Sequence, residues 1–265
     1  MMEIDDGLSK SAKSIASSFR ESLMTRPQYI KNLIKLTIIW SVSSFSFYCL
    51  QVAAKYNEGS VFLNYYLDGI AGMVGTIIAQ PIYNRFQAKI TFLLSYGDSI
   101  LFGILVLAFQ LNWISPNWIE IFGIPPSGHP VGSKADREYH LGYLIPALIF
   151  MIKIGVNTSF LAAYRASFNE DFIFPFFKRA TAVGICNFIA RSFTILAPLC
   201  AEIPTPGPII IHIFINLIAF ITCFTLPSKE EGEEFLVELD LFMKSIEERR
   251  QARIALNMEQ KPKEE

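Results

Sequence analysis

The sequence predicts an all-α, polytopic membrane protein, and three observations lead there. Hydrophobic residues make up 52% of the 265 positions and charged residues only 18%, with 23 Phe, whereas a water-soluble domain of this size carries more charge. Six apolar segments recur at about 36–54, 60–80, 90–111, 141–163, 180–201 and 207–226. Each is long enough to cross a hydrocarbon core of roughly 30 Å. Lys and Arg also sort by side. The N-terminal arm, the 81–89 loop, the 164–179 loop and the C-terminal tail hold eighteen of them, against Lys55, Lys134 and Arg137 opposite. By the positive-inside rule both termini then face the cytoplasm, or the matrix if the membrane is mitochondrial.

Residues 1–30 form an arm with an apolar stripe at helical spacing (Leu8, Ala12, Ile15, Ala16, Phe19, Leu23), with Lys10, Lys13 and Arg20 on the other side. That pattern predicts an amphipathic helix lying on the membrane or on a partner. The first span holds Ser43, Ser44, Tyr48 and Gln51 among aromatics. The second combines Asp68 with Gly69, Gly72 and Gly75, a spacing that allows close helix contact. Asp98 falls in the third span. Residues 112–140 form a Pro-rich loop, long for a compact bundle, which predicts a docking surface or plug. Trp113 and Trp118 fit an interfacial belt, His129 and His140 read as surface residues, and His212 with Asn216 one turn on reads as a hydrogen-bonded packing pair.

Cys49, Cys186, Cys200 and Cys223 all fall in or beside apolar segments with no C-x-x-C pair, so they read as buried thiols. Past Pro227 the chain turns polar, and Phe235, Leu236, Leu239, Phe242, Met243 and Ile246 repeat at helical spacing, a face that predicts packing on protein. Three regions result: the 1–30 arm, a 31–226 transmembrane unit, and a 227–265 C-terminal helix and charged tail.

The fourth and fifth segments each carry one full cation near the middle, Lys153 and Arg191. A lone cation at a helix centre costs about 2.5–3.5 kcal/mol on insertion scales, so it faces a partner or a cavity rather than lipid. Around these two cations Lys153, Gly155, Tyr164, Glu170, Phe174, Pro175, Arg179, Gly184, Arg191 and Pro198 follow in order. This stretch resembles the segment joining the tenth and eleventh helices of the organic anion and cation transporters of the major facilitator superfamily. The spacing agrees from Pro175 onward. Glu170 stands further from Pro175 than in that family, and Phe176, Ala182 and Phe193 replace its Thr and two Gly.

The resemblance extends over roughly residues 30–226 and implies a six-helix half of a twelve-helix transporter. It implies a substrate-facing set of Arg191, Lys153, Tyr48 and Gln51, with Arg191 favouring organic anions, and a gating and structural set of Arg85, Glu170, Pro175, Arg179 and Gly184. Of the superfamily's gating motif the 81–89 loop keeps only Arg85 and Lys89.

One half cannot perform alternating access, which rocks two halves about a site between them. Three expectations follow: two copies rebuild a cavity, the half is a scaffold in a larger membrane assembly, or a separate chain supplies the other half. In the scaffold case Arg191 pairs with an acid such as Asp68 or Asp98, or with one of a partner. The leading expectation is an accessory subunit of a membrane complex, of which a respiratory assembly of the inner mitochondrial membrane is an example. Organic-anion transport by paired halves is the alternative. No nucleophile elbow, phosphate loop, metal-spaced His/Cys set or paired carboxylates stand in the sequence, so neither an enzyme nor a cofactor is expected. The basic residues are spread along the membrane face and matched by acids, so nucleic acid is not expected as a partner.

Overall fold

The computed structural model describes residues 27–56, 60–114, 133–169 and 179–227, together with Val237, Leu241, Lys244, Glu248 and Gln251. The expected helix over the N-terminal arm, most of the 112–140 loop with Trp118 and His129, and the turn carrying Glu170 and Pro175 lie outside these residues. So does the C-terminal apolar stripe. The five isolated C-terminal positions are helical, and their spacing sets them on one exposed face.

Among the described residues all regular structure is helical: α1 Pro27–Ala53, α2 Val61–Gln110, α3 Lys134–Asn169, α4 Arg179–Thr194, α5 Ala197–Ala201 and α6 Gly207–Phe224. α4 and α5 run on as one apolar stretch, so the described residues hold 5 helical stretches long and apolar enough to cross a membrane.

At 50 residues α2 would reach about 75 Å if straight, more than twice a hydrocarbon core. It does not run straight. Gln87 breaks it with φ 61° and ψ −175°, a conformation costly for a residue with a Cβ. The packing shows the result. Gly75 lies against Ile154 and Asn157 of α3, while Ser95 and Asp98 lie against Gly155, so neighbouring residues of α3 touch both limbs of α2. In a straight helix positions 75 and 98 would stand about 34 Å apart. The chain therefore folds back at Gln87 as a helical hairpin. The loop expected over 81–89 shrinks to one residue, because helix continues through Pro81 to Phe86.

α1 is the hub. Its Ser43 hydroxyl lies 2.7 Å from the Tyr96 hydroxyl of α2 and 2.9 Å from that of Ser159 on α3. The Tyr96 hydroxyl donates to the Ile39 carbonyl at 2.7 Å. On the other side Thr37 approaches Cys186 of α4 at 3.3 Å, and the Asn216 amide of α6 donates to Ser46 at 3.0 Å. Lys35 donates to the Thr225 carbonyl just beyond the end of α6. Without water, polar groups inside a bundle must find one another, and here they tie every long helix to α1. Tyr96→Phe is expected to lower stability by about 1 kcal/mol, read as a lower melting temperature of the purified protein.

The core divides into two main clusters along the bundle axis. One joins Leu36, Trp40, Tyr83, Phe92, Ala163, Cys186 and Cys223; the other joins Leu50, Val106, Phe109, Ile145, Ile152 and Ile209. Lys31, Lys35, Arg85, Lys89, Arg165 and Arg179 gather at the first end, with the Arg165 guanidinium 5.7 Å from the Tyr83 ring centroid. Lys55, Lys134 and Arg137 mark the other end, where Arg137 donates to the Phe109 carbonyl at 2.7 Å. The charge segregation legible in the sequence thus coincides with the two ends of the fold.

Glycine sets the approach of α2 to α3. A Cβ on Gly155 would stand 2.7 Å from the Ser95 carbonyl oxygen, a backbone atom that cannot step aside. Gly155→Ala is expected to pry α3 from the second limb of α2 and cost about 1–3 kcal/mol, measured by thermal unfolding. Gly69→Ala, into open space, is the control and is expected to be neutral or slightly stabilising.

Candidate functional site

The polar residues of the membrane interior converge on the second half of α1. Phe47 and Tyr48 are both half-buried, with ring centroids 5.1 Å apart at 83°. Because successive helical residues point about 100° apart, the two rings serve different neighbours. Phe47 turns to α3: the Lys153 ammonium donates to the Phe47 carbonyl at 3.2 Å and sits 4.7 Å from its ring centroid. Tyr48 turns to α4: Arg191 donates to its hydroxyl at 2.5 Å and lies 5.7 Å from its ring centroid. Lys153, Phe47, Tyr48 and Arg191 therefore form one continuous array of cation, ring, ring and cation. Contacts of a cation with a ring face are worth about 0.5–2 kcal/mol, rising as water is excluded.

The two cations differ in burial. Lys153 is 1% exposed and forms an ion pair with Asp68 from the first limb of α2. Asp68 is 15% exposed. Arg191 is exposed. It was expected to be buried against an acid or carbonyl, and neither Asp68 nor Asp98 is its partner. Asp68 is taken by Lys153, and Asp98 packs against Gly155. α4 explains the exposure: its fully buried residues are Ala182, Cys186 and Ala190, a stripe at i, i+4 and i+8 packed on the core. Arg191, one residue past that stripe, turns outward.

Of the four residues that the resemblance implies at a substrate, the structure brings Lys153, Tyr48 and Arg191 into the array. Gln51 stands half-buried one turn beyond Phe47 on α1. Of the gating set, Arg85 is exposed two residues before the break at Gln87, Arg179 donates to the Phe168 carbonyl at the end of α3, and Gly184 is exposed with open space around it. Phe47, which joins the two cations, was not singled out in the sequence. Its signal was its place beside Tyr48. The Lys153–Asp68 pair was legible as one lone acid and one lone base in separate apolar segments, but which acid met which base was not.

Histidine placement corrects one expectation and supports another. His140 is buried, not on the surface, 3.3 Å from the buried carboxylate of Asp136 one turn earlier in α3. The helix begins at Lys134, so a segment read as loop is helical there and carries both residues inward. His212 is fully buried beside Asn216, which donates to the His212 carbonyl at 2.7 Å, as a packing pair does. Cys49, Cys186 and Cys223 are buried free thiols and Cys200 is half-buried.

The arrangement holds charge: a fixed ion pair, a cation presented outward, and aromatic faces between. It defines a helical bundle with stretches apolar enough to cross a membrane, in which the Lys153–Asp68 ion pair is closed within the chain. No protein-family model matches the chain, and no curated protein matches it in sequence.

Proposed function

We propose that this chain is a transporter-derived integral membrane protein serving as an accessory subunit of a larger membrane complex, with the Arg191 face turned to a neighbouring protein. The observation that carries the reading is Arg191. It stands on the exposed side of α4, roughly 18 Å along the helix from Arg179 and so near mid-membrane. Lipid there would cost about 2.5–3.5 kcal/mol, and among the described residues its guanidinium bonds to Tyr48. A protein neighbour removes that cost. α4 and α5 also bury little of their apolar surface within the chain, with Phe188, Ile195 and Leu199 all more than 60% exposed.

In this reading the two limbs of α2 are separate spans of about 39 Å and 34 Å, which makes six in all. The chain is then a half of the major-facilitator type, with both termini on the positively charged side. A respiratory assembly of the inner mitochondrial membrane is a fitting host. The second reading is organic-anion transport by two such halves. What favours it is the same unpaired charge: Arg191 beside the Tyr48 hydroxyl and ring offers an anion both charge and a hydrogen bond.

The native mass of the protein, extracted in mild detergent from its own membrane with co-purifying chains identified, separates the two. A large assembly of different subunits supports the accessory role. A homodimer, or a pair with one other six-helix chain, that takes up an organic anion in liposomes would replace it with transport.

A further inference from the structure

Away from the Arg191 face, at the end of the bundle marked by Lys55 and Arg137, the helices part around a cavity of about 290 Å³. Leu50 of α1, Val106 of α2, Ile149 of α3 and Ile209 of α6 form its walls, and the turn from Glu202 to Thr205 lines its opening. Leu50, Val106 and Ile209 are buried while Tyr56, Glu202 and Ile203 are exposed, so the space is a cleft with apolar walls reaching into the core and a mouth open at the surface. For scale, a cavity of about 150 Å³ lined by apolar side chains accommodates benzene. This one is close to twice that, room for roughly 12 non-hydrogen atoms.

The polar chemistry is one-sided. Gln110, the last residue of α2, lines the cavity, and its side-chain oxygen is buried with no hydrogen-bond partner among the described residues. A buried acceptor left unmade costs about 1–3 kcal/mol, so a donor brought to it is rewarded. Among the described residues the only charged side chain on the lining is the exposed carboxylate of Glu202. No described Lys or Arg lines the space. An anion on this lining would meet the Glu202 carboxylate, while the nearby cation, Lys55, stands off the lining and already interacts with Glu202.

We propose that this cavity is a binding site for a small, compact amphiphile that carries a hydroxyl or amino donor and no negative charge, its apolar body among Leu50, Val106, Ile149 and Ile209 and its donor on Gln110. The site is independent of the Arg191 face and of the function proposed for it. Its ligand class, neutral or cationic, is opposite to the organic anion that Arg191 would favour.

The test uses the full chain in lipid nanodiscs, with empty nanodiscs as the partition blank. 2-Naphthol fits the volume and carries a donor; naphthalene matches its body without the donor; 2-naphthoate carries the wrong charge. Expected is saturable binding of one 2-naphthol per chain, at least fivefold tighter than naphthalene, with 2-naphthoate not bound. Gln110→Leu is expected to erase the difference between naphthol and naphthalene while both still bind. Ala201→Phe, from a small buried residue on the wall, is expected to abolish both. Binding no greater than to empty nanodiscs, equal affinity for naphthol and naphthalene, or a preference that survives Gln110→Leu overturns the proposal. Should Ala201→Phe fail to fold, the near-isosteric Gln110→Leu decides alone.

Discussion

Lys153→Met is expected to be among the most damaging single substitutions in the chain, with a loss of about 3–5 kcal/mol. The pair it breaks lies between α3 and the first limb of α2, where Lys153 is 1% and Asp68 15% exposed. Removing the cation leaves a carboxylate inside an apolar bundle with its counter-charge gone. The Phe47 carbonyl also loses the ammonium donor at 3.2 Å. Asp68→Asn is expected to cost less, since an amide still accepts from the ammonium and Asp68 retains some exposure. The decisive comparison is the double variant Lys153→Met with Asp68→Leu. Replacing a buried pair by apolar groups of similar size is often neutral or stabilising, so the double variant should recover most of the loss. Thermal melts of the four proteins in one detergent give the coupling directly. Additive losses would mean that the two side chains do not form a pair.

Arg191→Glu is expected to separate assembly from folding. Arg191 is exposed, and its bond to Tyr48 is a surface contact in the isolated chain, so the purified variant should melt within about 0.5 kcal/mol of the parent. In its membrane the same variant should lose at least tenfold of its co-purifying partners, because a carboxylate now faces groups arranged for a cation, and like charges across an interface cost several kcal/mol. Arg191→Lys should keep part of the association: the charge remains, but the planar fork that reaches the Tyr48 hydroxyl is gone. Unchanged co-purification of Arg191→Glu would remove the Arg191 face from the interface and leave the accessory reading without its support. Loss of anion uptake with unchanged partners would favour transport.

Much of the architecture was legible before any coordinates, because membrane helices obey few rules. A span needs about 20 apolar residues, and its flanking loops sort Lys and Arg by side. The all-helical class, the apolar segments, three of the four thiols as buried and the two charge-marked ends of the bundle follow from that. The break in α2 was placed within the 81–89 segment but not at Gln87, since nothing in PIYNRFQAK marks one residue for a left-handed conformation. A glycine would have; glutamine does not.

The site was legible in its members and not in its pairings. Lys153, Asp68, Arg191 and Tyr48 stand out as polar residues in apolar segments, because each is costly there unless something compensates. Partner choice depends on which helices adjoin and on their rotation about their own axes, and a single apolar segment carries no record of its neighbour. Asp68 was thus a candidate for Arg191 until α3 was seen beside the first limb of α2, held close by Gly75. His140 went the same way: a loop reading put it on the surface, and a helix beginning at Lys134 put it inside with Asp136.

The sequence by itself determined that this chain is helical, built from membrane-length segments, and polar at particular depths; these are properties of local composition and period. The tertiary structure alone decided that α1 is the hub, that Lys153 is neutralised within the chain, and that Arg191 is left facing outward. The physical reason is that desolvation and Coulomb attraction act between helices far apart in sequence, so their balance is settled only when side chains meet.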